Sequence, residues 1–378
     1  MKFKNIKNHL PTVMFLVFIA VIGLFFCFGP KDTYSSSEKR YLEKPPVFTV
    51  ERLVSGEFGT DFEKYLSDHT DGRQFFVGLN AYYDLASGRN GSKGVYLSGD
   101  DYLINDPIEK DNYLEHNIQT LANFAKNTGV NANLIIVPST GYIMDKDLPL
   151  NHYKYLDEKY FNIIEKNKGN LNFINILDEF KNKATDTNVF YRTDHHWTTN
   201  GAYLAYERYC KDKGLTATPK SDFKIKSYPN FYGTTYSTSA YWLTPSENID
   251  VWYNKNHKDN IRVTIDDGDE KKESESMYFL EHLNEDDKYP VFLDGNHSLV
   301  RIKNSDAKGG KLLLLKDSFS HCFAPFVADN YSEIIMIDMR YYKDEVSKLV
   351  KDEGITDVLM LYGLDNLSLD TDIRWLKW

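Results

Sequence analysis

The chain has 378 residues and a formal net charge of -10, so it is long enough for one large domain or two. The negative charge argues against binding to nucleic acid and to anionic surfaces. Three cysteines are too few for a disulfide scaffold, and Cys210 and Cys322 can pair only if the fold brings them together. Because no Cys-x-x-Cys or His-Glu-x-x-His pattern is present, no metal-binding motif is strong, and we expect no metal. We also expect no cofactor.

An apolar run extends from about Leu10 to Gly29, and three lysines precede it. About 20 apolar residues are enough to cross a bilayer once, and lysines ahead of such a run place the N-terminus in the cytoplasm. No small-residue cleavage site follows Phe28. We therefore expect residues 1–30 to be a cytoplasmic tip and an uncleaved signal anchor, with the remaining chain outside the cell membrane. A cleaved signal peptide is the alternative.

The chain beyond the anchor is expected to start with a polar linker over residues 31–46, followed by an extracellular domain over residues 47–378. Apolar residues recur at helical spacing from Glu57 to Leu66 and from Arg73 to Ala86. Turn residues at Ser98 to Asp101 lie between two short apolar runs and predict a hairpin.

Most of the remaining chain alternates between strand-like and helix-like patterns. This alternation predicts an α/β fold, with a parallel sheet flanked by helices on both faces. The predicted elements are helix Asn112–Asn127, strand Leu134–Val137, helix Glu158–Lys166, strand Leu171–Ile174, helix Leu177–Lys183, helix Gly201–Lys211, strand Leu312–Leu315, helix Ser318–Ala328, strand Glu333–Ile337, helix Lys343–Lys351 and strand Asp357–Leu361.

The alternation is interrupted at about residues 216–305, where helical periodicity fades and Tyr, Asn, Asp and Ser dominate. We expect a β-rich insertion here, with the charged run from Asp266 to Glu275 as an exposed acidic loop. Such an insertion either shapes a polymer-binding groove or decorates the fold.

Asp194 and His196 lie two positions apart, just ahead of the helix that Thr198 or Thr199 can cap. In an extended segment, residues two apart point to the same side. A carboxylate beside an imidazole fixes its tautomer and raises its basicity. The spacing predicts His196 as a general base oriented by Asp194, whereas the simpler interpretation is a carboxylate that braces the loop. We expect His195 to hold the loop through a backbone bond.

Ser318 follows the predicted buried strand directly, in the order Lys316-Asp317-Ser318. A serine on a sharp strand-to-helix turn is exposed, and its own N–H and the helix N-terminus face any developing oxyanion. Ser318 is therefore the candidate nucleophile, with an ordinary helix cap as the alternative. Asp317 is expected to be structural, because a carboxylate beside the nucleophile disfavours an oxyanion.

Four further residues are candidates for substrate binding. Arg340, after the strand that ends at Ile337, either steadies a substrate carboxylate or pairs with Asp338, and we favour the pairing. Tyr142 follows another predicted strand end. Trp197 is either part of the core or a platform for a sugar ring, and His195 is next to the proposed base.

The Asp194-His195-His196-Trp197 segment, followed much later by Asp317-Ser318-Phe319-Ser320, resembles the DHHW family. That family is related to the alginate O-acetyltransferases of the SGNH-hydrolase-like superfamily, in which the Asp-x-His motif precedes the serine in a permuted order. Lys316 occupies the position of the first glycine in the Gly-Asp-Ser block of SGNH hydrolases. The resemblance spans roughly residues 35–365, and it also includes Ser37 to Arg40 with Pro45-Pro46, Asp68 to Arg73, and Gly99 to Leu103.

The resemblance implies an SGNH-hydrolase-like fold and an O-acetyltransferase that acts on a cell-surface or secreted polysaccharide. Ser318 would carry the acetyl group, with His196 as the base and Asp194 as its orienter. It also implies a membrane-bound O-acyltransferase partner that supplies acetyl groups. The alternatives are a carbohydrate acetyl-esterase and a non-catalytic subunit that binds or exports a polysaccharide.

Overall fold

The computed structural model describes residues 3–35, 37–70, 72–109, 113–184, 186–256, 260–268 and 270–376. Asn112 and Asp269, which belong to predicted elements, lie outside this range. The chain divides into two compact units, Met1–Ser92 with Ser237–Trp242, and Lys93–Tyr236 with Leu243–Trp378.

The first unit begins with the long apolar helix that the sequence predicts, Phe3–Phe28 (α1). Its segment His9–Phe28 has a mean hydropathy of 2.6 over 20 residues, and its side chains are not buried. By length and composition this one described helix can cross a membrane, a property that signal sequences share.

The rest of the first unit consists of short strands and amphipathic helices. They are Tyr34–Ser35 (β1), Arg40–Tyr41 (β2), Val50–Ser55 (α2), Glu57–His69 (α3), Arg73–Ala86 (α4) and Gly91–Ser92 (β3). Both predicted helices are confirmed. Within the expected linker, β1 pairs with β2, and the Arg40 guanidinium donates to both carboxylate oxygens of Asp68, at 2.5 and 2.9 Å. This segment is therefore attached to α3.

The second unit contains the large sheet. Its strands are Val95–Leu97 (β4), Leu103–Asn105 (β5), Asn131–Val137 (β6), Asn172–Phe173 (β7), Phe223–Phe231 (β8), Glu247–Asn254 (β9), Ile261–Asp266 (β10), Lys271–Ser274 (β11), Leu299–Asn304 (β12), Lys311–Lys316 (β13), Glu333–Ile337 (β14) and Asp357–Gly363 (β15). Eight of them form one sheet, in the order β11-β10-β12-β14-β13-β15-β6-β7.

The predicted parallel arrangement is correct from β14 to β7, and the other end of the sheet is antiparallel. Strands β10, β11 and β12 belong to the segment interpreted as an insertion, yet they extend the main sheet, while β8 and β9 form a separate pair. The expected acidic loop is instead the β10–β11 hairpin, in which Asp266 pairs with Lys271. Its edge strand is mostly exposed, so no apolar pattern marks it as a strand.

The helices of the second unit form two packed groups, as expected for a sheet covered on both faces. The helices are Leu114–Thr128 (α5), Thr140–Ile143 (α6), Asp157–Asn167 (α7), Leu177–Lys183 (α8), Thr199–Lys213 (α9), Thr234–Ser239 (α10, whose residues from Ser237 onward belong to the first unit), Ser320–Val327 (α11), Val346–Asp352 (α12) and Leu364–Leu369 (α13). Helix α5 packs with α7, α12 and α13, whereas α9 packs with α8 and α11.

Strand β13 and helix α11 set the position of the candidate nucleophile. The four leucines of β13 are fully buried, and the strand continues to Lys316. Helix α11 begins at Ser320, two residues later than predicted, so Ser318 lies in the turn between strand and helix. Cys210 and Cys322 are buried free thiols, and the pairing considered from sequence is therefore absent.

Candidate active site

The loop before α9 carries the first part of the site and is held at both ends. Phe190 and Trp197 form an isolated antiparallel bridge. At the helix end, the Thr198 hydroxyl accepts a hydrogen bond from the Gly201 N–H at 3.2 Å, so the predicted N-cap is confirmed. The Trp197 indole is fully buried and its Nε1–H donates to the Phe319 carbonyl at 3.0 Å. Trp197 is therefore a core residue that ties this loop to the Ser318 turn.

A buried carboxylate holds the upstream half of the same loop. Glu247, at the start of β9, accepts hydrogen bonds from the backbone N–H groups of Arg192 and Thr193, at 3.0 and 2.7 Å. It also accepts one from the Thr193 hydroxyl at 2.7 Å. These bonds fix the backbone just before Asp194. The sequence analysis did not find Glu247, which lies more than 50 residues away in a segment without a recognisable pattern.

Asp194, His196 and Ser318 form one continuous line of hydrogen bonds. Asp194 Oδ1 is 2.5 Å from His196 Nδ1, and His196 Nε2 is 2.7 Å from Ser318 Oγ. Asp194 and His196 are buried, with 1% and 4% of their surface exposed, whereas Ser318 is partly exposed. Since an ionised carboxylate accepts the Nδ1–H, Nε2 is left as the acceptor for the serine proton. The predicted geometry is therefore present.

The second oxygen of Asp194 is held from the loop that follows β8. Asp194 Oδ2 accepts hydrogen bonds from the backbone N–H of Thr234 at 2.7 Å and from its hydroxyl at 3.1 Å. The backbone of Gly233 lies so close to the Asp194 side chain that an added Cβ would overlap it. Asp194 is thus clamped on both oxygens, and no sequence signal marked Gly233 or Thr234.

The Ser318 turn is organised by its neighbour Asp317. The Asp317 carboxylate accepts hydrogen bonds from the N–H groups of Phe319 and Gly363 and from Asn366 Nδ2, at 3.0, 2.7 and 2.8 Å. The structural role expected for Asp317 is therefore observed. Among the described residues, the backbone N–H of Ser318 has no protein acceptor, which leaves it available to an oxyanion.

Tyr289 packs on the imidazole of His196. The two rings are stacked with centroids 3.9 Å apart and an angle of 9° between their planes. The Tyr289 hydroxyl donates to the Ser318 carbonyl at 3.3 Å. On sequence alone Tyr289 was one of many tyrosines in the 216–305 segment, so its position beside the base was not predicted.

A buried ionic network lies behind the Ser318 turn. Lys316 Nζ is 3.0 Å from Asp338 Oδ2 and 2.8 Å from His321 Nε2. Burial lowers the pKa of Lys316 and also that of His321. Arg340 donates to both oxygens of Asp338, at 2.8 and 2.6 Å, so the pairing favoured from sequence is the contact observed. A role for Arg340 toward substrate stays a prediction.

A cavity of about 260 Å³ opens where β6, β13 and β15 end at the carboxyl edge of the sheet. Its wall includes His195 and Phe319, the chain neighbours of His196 and Ser318, and polar side chains from the segments that follow β6 and β15. Those polar groups are Ser139, Thr140, Asp365 and Asn366. Ligands of open α/β sheets bind at this edge, so this cavity is the candidate substrate site.

Of the four candidate substrate-binding residues, His195 lines this cavity. Its Nδ1 is 2.6 Å from the Thr234 hydroxyl, a side-chain contact where a backbone bond was expected. Burial and the adjacent His196 lower the pKa of His195 to about 4, so its ring is neutral at neutral pH. Tyr142 does not line the cavity, and its hydroxyl donates to Glu158 at 2.6 Å.

Asp194, His195 and His196 also have ligand atoms close enough to hold a metal ion. However, both ring nitrogens of His196 already have partners, Asp194 on Nδ1 and Ser318 on Nε2. An ion bound by this group would have to replace one of these hydrogen bonds. Among the described residues, the arrangement therefore fits proton transfer better than metal coordination.

Comparisons with known proteins relate the central part of the chain to one family. The model of the DHHW protein family matches residues 151–337, which include the Asp194 loop and Ser318. No curated protein matches the chain with significance. A DHHW family protein from Eubacterium siraeum has a solved structure with a TM-score of 0.64 and 22% identity, covering 75% of this chain and 95% of that one.

Two further solved structures are similar. Bacillus cereus PatB1, in a structure that carries a sulfonyl adduct, gives a TM-score of 0.63 and 21% identity over 75% of this chain and 98% of that one. The O-acetyltransferase domain of Pseudomonas putida AlgJ gives a TM-score of 0.48 and 14% identity over 74% of this chain and 94% of that one. This likeness is too remote to support an argument about activity. The chain therefore matches the DHHW family model over residues 151–337 and shares its fold with a solved DHHW family protein.

Proposed function

We propose that this protein is an O-acetyltransferase that modifies hydroxyl groups of a cell-surface or secreted polysaccharide through an acetyl-serine intermediate. The observation that carries the proposal is the line of hydrogen bonds from Asp194 through His196 to Ser318, at 2.5 and 2.7 Å. A nucleophile bonded to a base, which is in turn oriented by a carboxylate, is the arrangement used for covalent acyl transfer.

In the first half-reaction, His196 Nε2 takes the Ser318 proton while Oγ attacks the acetyl carbonyl. The Ser318 N–H then stabilises the oxyanion, and the leaving group departs with the proton from His196. In the second half-reaction, His196 takes a proton from an acceptor hydroxyl, whose oxygen attacks the acetyl-serine. Ser318 recovers its proton, and the sugar carries the acetyl ester.

The cavity wall supports a sugar as the acceptor. It presents the hydroxyls of Ser139, Thr140 and Thr235 and the amide of Asn366, groups that match the hydroxyls of a carbohydrate. Phe319 and Tyr155 add ring surface to the same wall. The Asp-His-His-Trp and Asp-Ser-Phe-Ser motifs, through the family that they resemble, support acetyl as the acyl group and a membrane-bound O-acyltransferase as its supplier.

Trapping of the intermediate tests this function. Full-length protein in detergent should be acetylated on Ser318 by 4-nitrophenyl acetate, because a triad attacks any activated acyl group that reaches it. The acetyl-serine should persist in water and discharge faster when a sugar oligomer is added, as followed by peptide mass spectrometry. Discharge at the same rate with and without oligomer would indicate an esterase. Absence of any acetyl-serine would favour the non-catalytic binding subunit.

We also propose that α1 is an uncleaved anchor, with the N-terminus in the cytoplasm and the second unit outside. The lysines before the apolar segment and the missing cleavage site support this orientation. Native protein should remain in the membrane fraction after a high-salt wash, with an intact mass that includes residues 1–30. A mature protein that starts beyond Gly29 would contradict the anchor.

A further inference from the structure

The cavity next to the Ser318 turn has an acidic wall. Asp365 is a carboxylate, and among the described residues no lysine or arginine lines the cavity. His195 contributes no positive charge near neutral pH, because its pKa is lowered to about 4. Behind the wall, Asp157 accepts the Ser139 N–H at 2.8 Å, and burial raises its pKa to about 7, so it adds part of a negative charge at neutral pH. The charged side chains at this cavity are therefore all negative.

Asp365 makes little use of its hydrogen-bonding capacity within the protein. Its one hydrogen bond among the described residues is from the Ser139 hydroxyl at 3.5 Å, the outer limit for such a bond. Burial raises the pKa of Asp365 to about 6, which still leaves it largely ionised at neutral pH. A half-buried carboxylate with unused acceptor capacity is a receptor for hydroxyl or ammonium donors.

The position of Asp365 is tied to the nucleophile. It follows β15, between Gly363 and Asn366, and both of these residues donate hydrogen bonds to Asp317, the neighbour of Ser318. The Phe319 ring also packs against Gly363, where an added Cβ would overlap it. The segment that carries Asp365 is therefore hydrogen-bonded to the turn that carries Ser318.

We propose that Asp365 is a specificity-determining residue that selects acceptor sugars without a carboxylate and rejects uronic acids. The inference rests on the proposed acetyl transfer. A neutral sugar donates its hydroxyls to Asp365, whereas a uronate brings a second negative charge into a partly desolvated cavity with no cation to pair with it. Two like charges about 5 Å apart at an effective dielectric of about 20 disfavour binding by roughly one to two orders of magnitude.

The test compares acceptors of equal length and different charge. Acetyl transfer from 4-nitrophenyl acetate is measured with chitopentaose, which is uncharged, and with a mannuronate pentamer. The variants are wild type, Asp365→Asn and the control Asp352→Asn, which makes the same change of charge on an exposed part of α12. Rates are taken at low and high salt, and kcat and KM are resolved separately.

Wild type should prefer chitopentaose by about tenfold to a hundredfold in kcat/KM, mainly through a higher KM for the uronate. Asp365→Asn should reduce that preference by about tenfold, and Asp352→Asn should leave it unchanged. Equal use of both pentamers by wild type, or an unchanged preference in Asp365→Asn, would overturn the inference. Acetylation of Ser318 without acceptor is measured in parallel, and its failure would count against the proposed function instead.

Discussion

Replacement of Ser318 by alanine is expected to lower the rate of acetyl release by roughly 10⁴- to 10⁶-fold and to remove the acetyl-enzyme altogether. The reason is that Ser318 Oγ is the atom bonded to His196 Nε2, and no other hydroxyl has that position among the described residues. His196→Ala should cost about as much. Asp194→Ala should retain more turnover, since the members of a triad act as a unit and the orienter is often the least costly to lose.

Ser320 provides the matched control for this series. It lies two residues from Ser318 and is fully buried, and its hydroxyl has no hydrogen-bond partner in the described structure. Ser320→Ala should therefore keep both the fold and the activity. The measurements are acetate release and the mass of the Ser318 peptide for each variant. Acetate release by Ser318→Ala at the wild-type rate would end the catalytic interpretation and favour the binding subunit.

Replacement of Gly233 by alanine is the second change expected to have a large effect, although Gly233 carries no chemistry. The added Cβ would overlap the Asp194 side chain, so the carboxylate must move away from Thr234 and from its bond to His196. A displaced orienter leaves the imidazole free to adopt the wrong tautomer. Acylation of Ser318 should fall by about 10²- to 10⁴-fold.

Gly99→Ala is the corresponding control, because nothing lies within 4 Å of a Cβ added at Gly99. Thermal unfolding followed by circular dichroism is measured alongside acylation, which separates a misplaced carboxylate from a misfolded chain. A Gly233→Ala protein that unfolds near the wild-type temperature and acylates at the wild-type rate would show that the clamp on Asp194 is dispensable.

Sequence patterns predicted the parts of the fold and site that are encoded locally. Strands β6, β13, β14 and β15 are continuous apolar runs because they are buried on both faces, and such runs are visible in a sequence. The contact between Asp194 and His196 spans two residues, so its geometry followed from the spacing. Ser318 was linked to them through the family resemblance of its motif.

The features that were missed depend on contacts between distant segments. Glu247, Thr234 and Tyr289 all come from the 216–305 segment, and each reaches the site through a side chain whose partner is 29 to 93 positions away. The β10–β11 hairpin was missed because its exposed edge strand consists of charged and polar residues, which show no apolar pattern. Trp197 was undecided because a buried indole and a sugar platform have the same sequence signature, and complete burial distinguishes them.

The stacking of Tyr289 on His196 has a consequence for the order in which substrates bind. The His196 imidazole stacks on the Tyr289 ring and also contacts the His195 ring, with centroids 3.9 Å away in each case, and Asp194 accepts the hydrogen bond from Nδ1. A ring packed in this way cannot turn between half-reactions, so one nitrogen, Nε2, must serve the departing donor and the arriving acceptor in turn. Donor and acceptor then compete for a single approach to Ser318. Initial-rate plots should show parallel lines, and a high concentration of sugar oligomer should slow acylation by occupying the entrance before the acetyl group arrives.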